Sequence, residues 1–108
     1  MKKKYAVGID VGGTTAKFGI VDRNGKILEQ DRAPSNEHDV VEEFIDEMHA
    51  KLFPMIEKAG GISNFAGIGM GAPNGNFYTG TIEYAPNLKW KGIIPIADLV
   101  EKKFGLPT

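Results

Sequence analysis

The chain has 108 residues, 42% hydrophobic and 25% charged, with a formal net charge of −1 and no cysteine. That suits one ordinary domain with a core, and it excludes a disordered chain, a disulfide scaffold, thiol catalysis and Cys-ligated zinc. The charge balance gives no electrostatic case for nucleic acid or an anionic membrane as partner, and the Lys2-Lys3-Lys4 run reads as a solubilising N-terminus.

Lys4 to Ile9 is short and apolar without polar alternation, which predicts a strand buried on both faces. It is too short for a signal-peptide core or a membrane span, and together with the lack of cysteine this points to a cytoplasmic protein. Asp10 to Thr14 follows as a Gly-containing turn. Thr15 to Val21 alternates around Ala16, Phe18 and Ile20 as a second strand, and Asn24-Gly25 supplies a hairpin turn. Lys26 to Ala33 is the third strand. Its polar middle, Glu29 to Arg32, predicts an edge or half-exposed position. Three strands joined by two tight turns make an antiparallel meander.

Asp39 to Lys58 carries apolar residues at three- and four-residue spacing: Val41, Phe44, Ile45, Met48, Leu52, Met55 and Ile56. This predicts an amphipathic helix, with Asp39 and Glu42 as a capping pair, a kink or break at Pro54, and an end at Gly60-Gly61. Asn64 to Gly71 is a fourth strand, rich in small residues. A loop over Ala72 to Gly80, a short strand near Thr81 to Tyr84 and an irregular segment over Ala85 to Gly92 follow. Ile96 to Phe104 is a second helix capped by Gly105. There is no internal repeat and no linker. The order βββαβ(ββ)α makes the chain α/β.

The first candidate for chemistry is Asp10-Val11-Gly12-Gly13-Thr14-Thr15. Gly12 and Gly13 have no Cβ, so backbone N–H groups can approach an anion closely, and Thr14 and Thr15 add hydroxyls. Asp10 can hold water on a Mg²⁺ ion that travels with phosphates, because Mg²⁺ favours carboxylate oxygen and retains waters. Alternation puts Lys17 on the face of Thr15, from which it can add positive charge. A plain hairpin turn is the competing reading. No G-K-[ST] is present and no helix follows, so this is not a Walker A loop.

Gly67-Ile68-Gly69-Met70-Gly71-Ala72-Pro73-Asn74 fails the dinucleotide spacing, since Asn74 takes the place of the last glycine. It reads either as a strand that lets a backbone or ligand approach closely, with Asn74 and Asn76 suited to hydroxyl-rich ligands, or as tight core packing. Trp90 reads as core or lid packing, with Asn87 bracing its loop. His38 and His49 have no partner at ligand spacing and read as surface or helix residues. No pair of nucleophile and base is visible.

Taken in order, Val7-Gly8-Ile9-Asp10-Val11-Gly12-Gly13-Thr14, Asn24-Gly25, Gly67 to Pro73, Gly80, Ala85-Pro86-Asn87-Leu88 and Trp90 give the whole chain a resemblance to the ROK family (repressors, open reading frames and sugar kinases), and within it to glucokinase-like members. The resemblance implies a ribonuclease H-like, actin-like ATPase domain with a mixed sheet ordered 3-2-1-4-5. It implies that residues 1–108 are the N-terminal part of that domain in a two-domain, ATP-dependent hexose kinase that works as a homo-oligomer. Asp10, Gly12, Gly13, Thr14, Thr15 and Lys17 would then grip the ATP phosphates and their Mg²⁺, held by Asp10 through water. Gly71, Ala72, Pro73, Asn74 and Asn87 would lie near the sugar.

Two departures bear on that reading. Family members often have Gly where this chain has Asn74, which leaves the hexose open among glucose, fructose and N-acetylmannosamine. The family's catalytic Asp sits in an Asn-Asp pair at the end of a fifth strand that should begin near Pro107. No catalytic residue is therefore expected within this chain. The base is expected just beyond Thr108, and zinc only in a further C-terminal part. The expectations are an inactive fragment with an open fourth-strand edge and an uncovered apolar face, prone to self-association. A sugar-sensing, non-enzymatic module of the same fold is the alternative. The first strand starts at Lys4, leaving no room for a winged helix before it.

Overall fold

A computed structural model describes residues 3–72, 75–76, 80–83, 90 and 92–108. The strands β1 (Tyr5–Val11), β2 (Thr15–Asp22) and β3 (Ile27–Pro34) form the meander. They are followed by α1 (Val41–Lys58), a 3₁₀ turn at Ile62–Asn64, and β4 (Phe65–Gly71). Three short strands, β5 (Gly75–Asn76), β6 (Thr81–Glu83) and β7 (Ile93–Ile94), lead to α2 (Ile96–Phe104). The main sheet runs β3-β2-β1-β4, and β5-β6-β7 make a separate small sheet. β7 was not legible in the sequence, because two residues carry no period.

β1 pairs antiparallel with β2 on one edge and parallel with β4 on the other. Its alternate side chains Val7, Ile9 and Val11 are buried and face the same way as their cross-strand partners Ile20, Phe18 and Ala16. Both helices cover this face. α1 buries Phe44, Ile45, Met48, Leu52, Met55 and Ile56, and α2 adds Ile96, Val100 and Phe104. β1 is thus apolar up to Ile9 for two reasons. One face fills the core, and the other is nearly free of side chains, with Gly8 beside Gly19 and Gly69 on its neighbours.

β3 lies at the sheet's edge, as its polar middle implied. A bulge sets Leu28 out of the β2 pairing, since Ile20 pairs with Glu29 and Val21 with Ile27. The extra residue breaks the alternation, so Ile27 and Leu28 are both exposed. At the other edge, the expectation of an open β4 is corrected in part. The chain after α2 returns there, and the Ile68 N–H donates to the Pro107 carbonyl at 2.7 Å.

The α1 terminus also departs from expectation. The N-cap residue is Val40, and no side chain caps the helix. The Glu43 N–H bonds to the Val40 carbonyl at 3.1 Å, so the helix starts two residues after Asp39 and the Asp39–Glu42 box does not form. Nor does Pro54 end the helix, which continues to Lys58. Pro54 is exposed, so its ring stands toward solvent rather than against the sheet. Gly60 and Gly61 take φ of 101° and 92° and terminate it as expected. No helix among the described residues is long and apolar enough to cross a membrane.

The histidines are less isolated than their spacing suggested. His38 Nε2 meets Glu47 Oε1 at 2.6 Å, nine positions along the chain. This bond holds the Glu47 carboxyl below its ordinary range, with Lys51 adding to the effect. His49 packs on Phe53 and edge-on to Phe104, with ring centroids 5.6 and 4.8 Å away. Burial there holds its pKa below the ordinary 6.5, Lys103 adds to the shift and Asp46 opposes it.

Two outcomes follow. A Cβ on Gly19 would lie 2.3 Å from the Glu29 carbonyl oxygen, whereas one on Gly8 meets nothing within 4 Å. Gly19→Ala should therefore destabilise the chain by about 1–3 kcal/mol. Gly8→Ala should leave it unharmed or stabilise it by about 0.5–1 kcal/mol, both read by urea unfolding of the 108-residue chain. For His49, a lowered folded pKa means that the unfolded chain binds the proton first as pH falls below 6.5. Its contribution is present above that pH and is lost toward the lower folded value. The melting temperature should fall on acidification from about pH 7 to pH 5, and His49→Leu should flatten that slope.

Candidate functional site

The site begins with register. Asp10 on β1 pairs with Lys17 on β2 and with Gly71 on β4. These three residues form one row across the sheet on the face opposite the helices. β1 runs on to Val11, so Asp10 belongs to the strand and not to the turn. Its side chain is exposed, and a Cβ on Gly71 would stand 3.8 Å from Asp10 Oδ1, so the carboxylate leans over the bare backbone of β4. Among the described residues no donor bonds this carboxylate, and Lys17 makes no ion pair. A negative and a positive group thus stand side by side with their polar ends free.

The turn itself spans residues 12–14. The Gly12 N–H donates to the Thr15 carbonyl at 3.0 Å, and a Cβ on Gly12 would lie 2.8 Å from that oxygen. Gly12 is therefore required for the turn to close, and its amide is spent there. This corrects the expectation that Gly12 offers a donor to an anion. The amides of Gly13 and Thr14 have no partner among the described residues, and the Thr14 side chain is exposed. Thr15 is half-buried at the start of β2.

Ser35 was not legible as a site residue. It is fully buried just after β3, donates its hydroxyl to the Gly12 carbonyl at 2.5 Å and its N–H to the Thr14 carbonyl at 3.0 Å. A lone serine after a strand carries no sequence signal. Only the fold brings it within reach of a turn 23 positions earlier.

Two depressions flank the row. One, of about 410 Å³, lies on the open sheet face over Gly8, Asp10, Lys17, Gly19, Gly69 and Gly71. The other, of about 400 Å³, opens past Gly71 and Ala72 toward Thr81, Ala97 and Thr108. Gly71 borders both. They sit around the carboxyl ends of the parallel pair β1 and β4, where open α/β sheets bind ligands. Of the residues read as sugar-proximal, Gly71 and Ala72 are placed here, while Pro73, Asn74 and Asn87 lie outside the described residues. Trp90 is buried against Phe44 with ring centroids 4.9 Å apart, and its indole N–H donates to the His38 carbonyl at 3.0 Å. It is core packing with its polar end satisfied. No group of acidic and His residues that could hold a metal by itself occurs among the described residues.

Comparisons with known proteins agree with this architecture. The glucokinase of Halalkalibacterium halodurans is 31% identical over 113 residues, covering 100% of this chain and 33% of that protein. The crystal structure of a ROK family glucokinase from Streptomyces griseus in complex with glucose and AMPPNP superposes with a TM-score of 0.77 at 30% identity, over 95% of this chain and 31% of that one. A ROK family transcriptional regulator, a homolog of the E. coli MLC protein, also reaches a TM-score of 0.77, over 95% of this chain and 26% of that one, but at 15% identity it shares the fold alone. The chain spans about a third of the length of the glucokinases it matches. The model of the ROK family matches residues 6–108, and with the α/β fold and mixed sheet of its sugar kinases in place, the chain belongs to the ROK family.

Proposed function

We propose that this chain supplies the phosphate-binding part of an ATP-dependent hexose kinase, with glucose as the leading substrate. The observation that carries the reading is the row Lys17–Asp10–Gly71 beside a turn whose Gly13 and Thr14 amides are unpaired. Phosphoryl transfer needs donors and cations around the phosphates more than covalent chemistry from the protein. The free amides and the Thr14 hydroxyl would donate to phosphate oxygens. Lys17 would offset their charge. Asp10, exposed and without a donor, would orient the waters of a Mg²⁺ ion, and the donor set fits that ion because it is carboxylate oxygen with room for solvent. When bound, Mg²⁺ supplies charge neutralisation on the phosphates.

The sugar would approach from the Gly71–Ala72 side, where β4 ends without side chains. Both the identity with glucokinases and the glucose in the Streptomyces griseus complex support glucose as acceptor, while Asn74 leaves fructose and N-acetylmannosamine as alternatives. The base that takes the hydroxyl proton, the second domain and any zinc segment are assigned to sequence beyond this chain, which spans a third of its relatives. A sugar-sensing role shares the fold but does not call for Asp10 and Lys17 in one row.

In the full-length protein, MgATP and glucose should give sugar phosphate in a coupled assay. Asp10→Asn should lower kcat/KM by roughly 100-fold, the scale of losing one preorganised electrostatic group. The 108-residue chain alone should give no turnover. Absence of turnover by the full-length protein on a panel of hexoses and amino sugars overturns the kinase reading.

A further inference from the structure

We infer that Ser35 is a positioning residue for the anion-binding turn: it holds the Gly12–Gly13 peptide with its N–H toward the ligand side. This rests on the phosphate-binding reading above. Ser35 is the buried polar residue of the described chain, with no exposed surface. A buried hydroxyl is costly unless it is bonded, and this one is bonded to the turn rather than to its own neighbours.

The geometry sets what the bond does. A trans peptide is planar, so the carbonyl of one residue and the N–H of the next point in opposite directions. The described chain has no cis peptide. Ser35 Oγ draws the Gly12 carbonyl toward the connector between β3 and α1, at 2.5 Å. The Gly13 N–H is thereby turned away from the connector, and it is one of the two amides left unpaired. The Ser35 N–H draws in the Thr14 carbonyl at 3.0 Å in the same way. Two carbonyl oxygens that would repel a phosphate are therefore tied down on the far side of the turn. A Gly-Gly pair is the sequence least able to hold a peptide plane by itself, because glycine restricts φ and ψ so little. The turn needs an external hold, and Ser35 provides it.

The hold is itself anchored. Three residues on, the His38 carbonyl accepts the Trp90 indole N–H at 3.0 Å, and the His38 ring meets Glu47 on α1 at 2.6 Å. The connector is thus fixed to the core at one end and grips the turn at the other.

The test is steady-state kinetics and calorimetry on the full-length protein, with MgATP, glucose and inorganic tripolyphosphate as separate probes. Ser35→Ala should raise KM for MgATP and weaken tripolyphosphate binding by about tenfold, equivalent to about 1.4 kcal/mol for one hydrogen bond, while KM for glucose stays within about twofold. Ser35→Thr keeps the hydroxyl and should restore both values, and Ser35→Val, its near-isostere without the hydroxyl, should not. The Thr and Val variants make the same comparison should Ser35→Ala melt before assay. Equal rises in both KM values, a loss of melting temperature with unchanged MgATP and tripolyphosphate affinity, or failure of Ser35→Thr to rescue overturns the inference. Wild-type protein that binds neither MgATP nor tripolyphosphate overturns the phosphate reading itself, and this inference with it. Wild-type binding matched by Ser35→Val overturns the inference alone.

Discussion

The rest of the structure depends on the position of β1 between an antiparallel and a parallel neighbour. A strand hydrogen-bonded on both edges cannot slip by one residue without turning its entire buried set outward. Val7, Ile9 and Val11 therefore fix the register toward the helices, and the same register delivers Asp10 to the opposite face. Core and site are consequences of one alternation. Lys17 and Gly71 reach Asp10 because β2 and β4 are registered against the same strand.

The two faces of that sheet are built by different means. On the helix side, large side chains from α1 and α2 fill the space, with Phe44 packed at a tilt against Trp90. On the other side, glycines at 8, 19 and 69 leave the backbone bare. Their reasons differ. Gly19 is required by β3, whose Glu29 carbonyl occupies the place of a Cβ. Gly8 and Gly69 have open space above them, and nothing in the described chain requires them to be glycine. The face over them is where a ligand or another part of the protein can come close to the backbone.

Three polar contacts tie down the connector from β3 to α1. The Trp90 indole, the Ser35 hydroxyl and the His38–Glu47 pair all lie along the connector from β3 to α1. That connector joins the turn after β1 to Trp90, through Ser35 at one end and His38 at the other. In the row and the turn beside it, Asp10, Lys17 and the amides of Gly13 and Thr14 have no partner among the described residues.

By itself the sequence determined the elements with strong period and the residues that punctuate them. The meander, the apolar stripe of α1, its stop at Gly60-Gly61 and the α2 cap at Gly105 are local properties, set by side-chain spacing and by backbone freedom within a few positions. The face of Lys17 was legible too, from strand alternation, whereas Asp10 reads as part of the turn but lies in the strand. The tertiary structure decided what depends on partners distant in the chain. It moved the start of α1 to Val41, carried the helix through Pro54, and put a bulge at Leu28. It brought Pro107 to the edge of β4, His38 to Glu47, and Ser35 to the turn. It also spent the Gly12 amide on closing that turn, leaving Gly13 and Thr14 to offer theirs. The reason is common to all of these: a single hydrogen bond or clash, whether nine positions apart as at His38–Glu47 or 23 as at Ser35–Gly12, has no periodicity to read, and only folding places the second atom.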